Sequence, residues 1–91
     1  MKETSQMIEK LGGKAFVVKA DISKSKEVEE LTKQAYERFG RVDVLVNNAG
    51  ISGTPYKLVD LPESEWDQVI GTNLRGTWLV SKAICKRMLK Q

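Results

Sequence analysis

The chain has 91 residues, 41% hydrophobic and 30% charged, with 7 glycines and 2 prolines, the composition of one small globular domain at most. No apolar run approaches the roughly 18 residues of a membrane span, and no signal-like apolar stretch follows Met1. A lone Cys85, no histidine and a net charge of +3 argue against a disulfide, a conventional zinc site and a nucleic-acid surface, and leave a reducing, cytoplasmic address as the default.

In chain order, residues 1–11 place Met7, Ile8 and Leu11 on one helical face, and the pair Gly12-Gly13 stops that helix. Residues 15–19, AFVVK, are β-branched and aromatic, and they read as a strand. Ser23 or Ser25 is the expected cap of a second helix, which carries Val28, Leu31, Ala35 and Phe39 until Gly40 ends it. Residues 42–46, VDVLV, form a second strand with little polar alternation, as when both faces of a sheet are covered. A polar loop with Gly53, Pro55 and Pro62 follows. The last helix starts near Pro62 or Glu63 and extends to about Lys90. Lys82, Lys86, Arg87 and Lys90 give it a cationic end that suits the helix dipole.

The order α-β-α-β-α contains a strand–helix–strand unit of about thirty residues, whose crossover should be right-handed. It predicts a doubly wound α/β fold with parallel strands near 15–19 and 42–46. Two strands alone make a poor sheet, open on both faces and both edges. Residues 1–91 therefore read as one partial domain.

Two features lie at the carboxyl ends of the strands, where open α/β sheets bind ligands. The first strand ends in Asp21-Ile22, where a carboxylate and the next backbone N–H can read an adenine edge, although Asp21 serves equally as a loop residue. The second runs into Asn47-Asn48-Ala49-Gly50. The Asn47 amide both donates and accepts, so it can bridge neighbouring backbone groups, while Ala49 and Gly50 keep the surface low. The same four residues also suit an ordinary turn. Asn73, between Gly71 and Gly76, sits where two glycines weaken the last helix and favour a kink or inserted water, and it also reads as a solvated helix asparagine.

The stretches Asp21-Ile22, FGRVDVLVNNAG at 39–50 and EWDQVIGTNLRGTWLVSKA at 65–83 resemble the short-chain dehydrogenases/reductases, over essentially all 91 residues. The resemblance implies a dinucleotide-binding Rossmann fold and a parent oxidoreductase that transfers hydride between NAD or NADP and an alcohol or carbonyl substrate. It implies that Asp21 and Ile22 contact the adenine, that Asn48, Ala49 and Gly50 line the adenosine ribose side, and that Asn47 braces the sheet. Asn73 matches the asparagine of the catalytic tetrad, where a carbonyl freed at the kink holds a water of a proton relay.

The family's glycine-rich pyrophosphate turn lies upstream of these residues, and the acidic or basic residue that selects NAD or NADP after the family's second strand is also absent. Gly12-Gly13 is no substitute, because it ends a helix rather than opening one. No Tyr-x-x-x-Lys pair occurs, since Tyr36 is followed by Gly40 and Tyr56 by Asp60 at that spacing. The isolated chain is therefore expected to be inactive and to bind no dinucleotide tightly. The alternative is a non-catalytic assembly or binding module. The last helix is apolar over most of its circumference, so self-association through residues 63–90 and the open strand edges is expected.

Overall fold

The computed structural model describes residues 2–51 and 56–91. Helix α1 (Lys2–Lys10) ends where the sequence predicts, because Gly12 takes a φ of 87°. The Gly13 N–H then donates to Ile8 O and the Gly12 N–H to Glu9 O, a Schellman closure. Helix α2 (Ser25–Phe39) ends likewise on Gly40, with φ 78° and its N–H on Tyr36 O. Its start differs from the sequence reading. Lys24 holds the cap position without a side-chain bond, because the Ser23 hydroxyl donates to Asp21 instead.

A short 3-10 turn (Leu58–Asp60) leads to the last helical run. That run is three pieces on one continuous right-handed backbone: helix α3 (Glu63–Ile70), a π-helical turn (Gly71–Gly76) and helix α4 (Thr77–Met88). The glycine-flanked weak point is thus a widened turn.

Helices α2 and α4 pack side by side over a small core of Val28, Val80 and Ile84. The buried stripe of α2 is Val28 and Thr32, whose hydroxyl donates to Val28 O, rather than the predicted line through Leu31 and Phe39. Against this layer lie Ile22, Val42 and Leu45, partly buried. The Gln91 side chain fixes Val42 from both sides, accepting its N–H at 2.8 Å and donating to its carbonyl at 2.8 Å.

Among the described residues no strand forms. Segments 15–19 and 42–46, expected as parallel strands, run without any backbone ladder. The cause is topological. In a doubly wound sheet, strands that are consecutive in the chain need not be neighbours, as strands 3 and 4 are not in the order 3-2-1-4-5-6. Segments 15–19 and 42–46 therefore need not pair with each other. Val44 and Val46 accordingly stay 77% and 76% exposed on the face away from the helices.

The molecule measures 49 × 32 × 18 Å. Eighteen ångströms admit one helix layer and little more. Its accessible surface, 7503 Å², exceeds by about 2,200 Å² that of a compact monomer of this mass. Its radius of gyration, 15.8 Å, compares with about 12 Å for a compact chain.

Candidate functional site

The residues singled out in the sequence lie in three segments: the loop after 15–19, the stretch 47–51, and the π-helical turn. The turn touches both of the others. Asn73 forms a reciprocal amide pair with Ile51, accepting the Ile51 N–H at 2.8 Å and donating to Ile51 O at 2.8 Å. A side-chain amide here takes the place of a neighbouring strand. Gly50 lies so close that a Cβ on it would stand 3.2 Å from Asn73 Oδ1. On the other side, Gly76 is buried against Ile22, and a Cβ on it would meet Ile22 Cγ1 at 2.8 Å and its carbonyl oxygen at 3.2 Å. The Arg75 guanidinium donates to Ser23 O, and Gly71 faces the Ser23 Cβ.

The two glycines that weaken the helix therefore have distinct uses. They let the turn widen, and Gly76 admits Ile22 at backbone contact. Widening also redirects carbonyls. Asn73 O accepts the Thr77 hydroxyl at 3.1 Å, which occupies one of its two lone pairs.

Asp21 is exposed and organised by its own loop. Its Oδ1 accepts both the Ser23 N–H at 3.0 Å and the Ser23 hydroxyl at 2.6 Å, and its N–H donates to Glu27 Oε1. Oδ2 and the Ile22 N–H meet no protein partner among the described residues. The Ser23 hydroxyl, then the Ser23 N–H, and less strongly the charge of Lys24, hold the Asp21 carboxyl below its ordinary pKa against a small opposing effect of burial. Because the folded carboxyl titrates below the unfolded one, the unfolded chain binds the proton more readily. The turn is thus fully stabilised above about pH 4 and is lost as pH falls through the lowered value. A carbon-detected titration of Asp21 is expected to show this depressed midpoint, and Ser23→Ala to raise it. A midpoint indifferent to Ser23→Ala refutes the assignment.

Asn48, Ala49 and Gly50 form an exposed backbone strip beside Ile51. The Asn47 Nδ2 donates to Ser81 Oγ of α4 at 3.1 Å, tying this strip to the helix layer. Residues 52–55 of the loop 51–62 lie outside the described residues. Among the described residues no three histidine, cysteine, aspartate or glutamate side chains cluster as metal ligands, and no helix is long and apolar enough to cross a membrane.

Sequence reasoning missed Arg75 and Ser81, gave Ser23 only as a candidate helix cap, and gave Gly76 only as a glycine that weakens the helix. The spacing Asp21-x-Ser23 carried a local signal, an Asx turn. The other three act across 34 to 54 residues and left none.

A family model described as short chain dehydrogenase matches residues 1–91. The chain is 40% identical over 88 residues to glucose 1-dehydrogenase 2 of Bacillus subtilis, covering 97% of this chain and 34% of that one. It is 44% identical over 80 residues to the 3-oxoacyl-[acyl-carrier-protein] reductase of Synechocystis, covering 88% and 32%. Among solved structures it is similar to a metagenomic short-chain oxidoreductase in complex with NADP, with a TM-score of 0.91, 30% identity, and 98% of this chain and 40% of that one covered. It is also similar to an alcohol dehydrogenase from the archaeon Thermococcus sibiricus complexed with 5-hydroxy-NADP, with a TM-score of 0.86, 37% identity, and 96% and 38% covered. The chain spans about a third of the length of the curated relatives it matches.

Proposed function

This chain belongs to the short chain dehydrogenase family, and from that premise we propose that it forms the adenosine-side portion of an NAD(P)-dependent oxidoreductase acting on alcohol or carbonyl substrates. The observation that carries this reading is the double contact of the π-helical turn. Asn73 holds Ile51 on one side, and Gly76 and Arg75 hold Ile22 and Ser23 on the other. One rigid turn thereby fixes the spacing between the two loops that would grip the adenosine.

The donor set suits that group. Asp21 Oδ2 accepts from an exocyclic amine, and the Ile22 N–H donates to the adjacent ring nitrogen. Ser23 keeps the carboxylate ionised and oriented for this. Ala49 and Gly50, lacking bulk, let the ribose approach the backbone. Bound nicotinamide supplies the hydride acceptor or donor. At the far side of the turn, the Thr77 hydroxyl donates to Asn73 O and fixes the carbonyl's direction. Beside neighbouring strands, segments 15–19 and 42–46 would become strands of a doubly wound sheet. The chain by itself supplies no Tyr-x-x-x-Lys pair, so the chemistry requires further residues, and the isolated chain is inactive.

Titration of the isolated chain with NADP and with NAD tests the reading. Calorimetry is expected to give a dissociation constant weaker than about 10 µM, or about −7 kcal/mol, because no pyrophosphate turn contributes. The amide resonances of Ile22 and Gly50 are expected to move selectively at millimolar dinucleotide. Binding tighter than that limit, or shifts that spare both residues, overturns the proposal.

A further inference from the structure

Residues 42–51 make no backbone–backbone hydrogen bond among the described residues, yet side chains of the last helical run and its end hold them at three points. At one end Gln91 brackets Val42, its Oε1 accepting the N–H and its Nε2 donating to the carbonyl, both at 2.8 Å. At the other end Asn73 brackets Ile51 with the same pair of bonds. Between them Asn47 donates to Ser81 at 3.1 Å. Each bracket reproduces the two bonds that directly opposed residues of antiparallel strands exchange.

We propose that Gln91 is a positioning residue: its amide stands in for a strand neighbour at Val42 and, with the Asn73 pair, locks the register of 42–51 against the last helical run. Spacing supports this. From Gln91 to Ser81 is ten residues, about 15 Å at the helical rise, and from Val42 to Asn47 is five, about 16 Å of extended chain. From Ser81 to Asn73 is eight residues, about 12 Å, against about 13 Å of extended chain from Asn47 to Ile51. The two segments run antiparallel with matched strides, so all three contacts are met in one register.

The neighbouring register is costly. A slip of one residue moves the chain by about 3.3 Å, which breaks both brackets. It would also set the Asp43 carboxylate, paired with Arg41 at 2.6 Å in solvent, where Val42 packs on the core. The Gln91 amide is itself oriented. Its Oε1 also accepts the Tyr36 hydroxyl at 3.0 Å, and the Arg87 guanidinium lies 5.1 Å from the centre of the Tyr36 ring. Gln91 thus joins both helices of the core layer to the start of the segment. A fixed register also sets where Asn48, Ala49 and Gly50 lie, and that consequence for a dinucleotide rests on the oxidoreductase reading, whereas the locking does not.

Residue-resolved hydrogen exchange of the 91-residue chain is the test. Gln91→Met keeps the length and apolar stem of the side chain and removes the amide. The Val42 amide is expected to exchange at least about fivefold faster in this variant, and the Ile51 amide, nine residues away, at least about twofold faster. The Val80 amide within α4 should be unaffected. Gln91→Glu still accepts from Val42 N–H and the Tyr36 hydroxyl but offers Val42 O no donor, so its Val42 protection should fall between the two. Unchanged exchange at Val42 in Gln91→Met would mean that Gln91 only packs, and a faster Val42 with an unchanged Ile51 that it pins one residue without setting the register; either overturns the inference. With NADP added, the Ile22 and Gly50 resonances should need at least about threefold more dinucleotide to move in Gln91→Met. An equal midpoint overturns the link to the strip 48–50. Resonances that never move in the unmodified chain overturn the oxidoreductase reading instead, and the exchange rates then decide the locking by themselves.

Discussion

Ile84→Ala is expected to abolish or severely lower the thermal unfolding transition of the chain. Ile84, 5% exposed, closes the core with Val28 and Val80, and it is one of only three buried apolar side chains among the described residues. Truncating a buried isoleucine to alanine costs about 2–5 kcal/mol in lost transfer energy and residual cavity. Domains of ordinary size hold only about 5–15 kcal/mol in all, and this one exposes far more surface than its mass requires. The midpoint is therefore expected to fall by at least about 10 °C. Val46→Ala, on the open face, supplies the control and should change stability by no more than about 0.5 kcal/mol. Circular dichroism melts of the two variants decide the matter. Equal midpoints would show that the α2–α4 core does not hold the chain together.

Asn73→Ala is expected to release the stretch 48–51 while leaving the helices in place. The substitution removes both bonds of the reciprocal pair with Ile51, each worth about 0.5–1.5 kcal/mol net. The Ile51 amide should then exchange with solvent about 10- to 100-fold faster, the ratio corresponding to roughly 1.4–2.7 kcal/mol. Asn73→Asp separates the two halves of the pair. An ionised carboxylate still accepts the Ile51 N–H but offers no donor to Ile51 O, so protection should fall by less than in the alanine variant. Unchanged exchange at Ile51 in Asn73→Ala would show that the amide pair does not hold the loop.

The two substitutions probe features of different legibility. Val28 was placed on the inner face of a helix by spacing alone, and its burial follows. Ile84 was one of the apolar residues distributed around most of the circumference of the last helix, and the pattern did not say which of them face α2. In the structure Val80 and Ile84 do, while Trp66, Leu74 and Trp78 remain in solvent. The same holds for the strands. VDVLV carries the β-branched composition of a buried strand, and Val42 and Leu45 do pack on the helices. A ladder, however, is a property of two segments, and the neighbours that would pair with this one are not supplied by 15–19.

What the sequence determined by itself was local. The helix ends at Gly12-Gly13 and Gly40 were readable because their closing hydrogen bonds span at most five residues and need a positive φ that glycine supplies freely. The family was readable because its motifs are short. The candidate site was legible only as a set of residues, Asp21, Ile22, Asn47 to Gly50 and Asn73, without their partners. Only the tertiary structure decided that Asn73 clamps Ile51, that Asn47 reaches Ser81, that Gln91 brackets Val42, and that Gly76 makes room for Ile22. These contacts join residues 22 to 54 positions apart. Each depends on where two elements come to rest, and that is fixed by burial summed over the whole helix layer, which no window of the sequence contains.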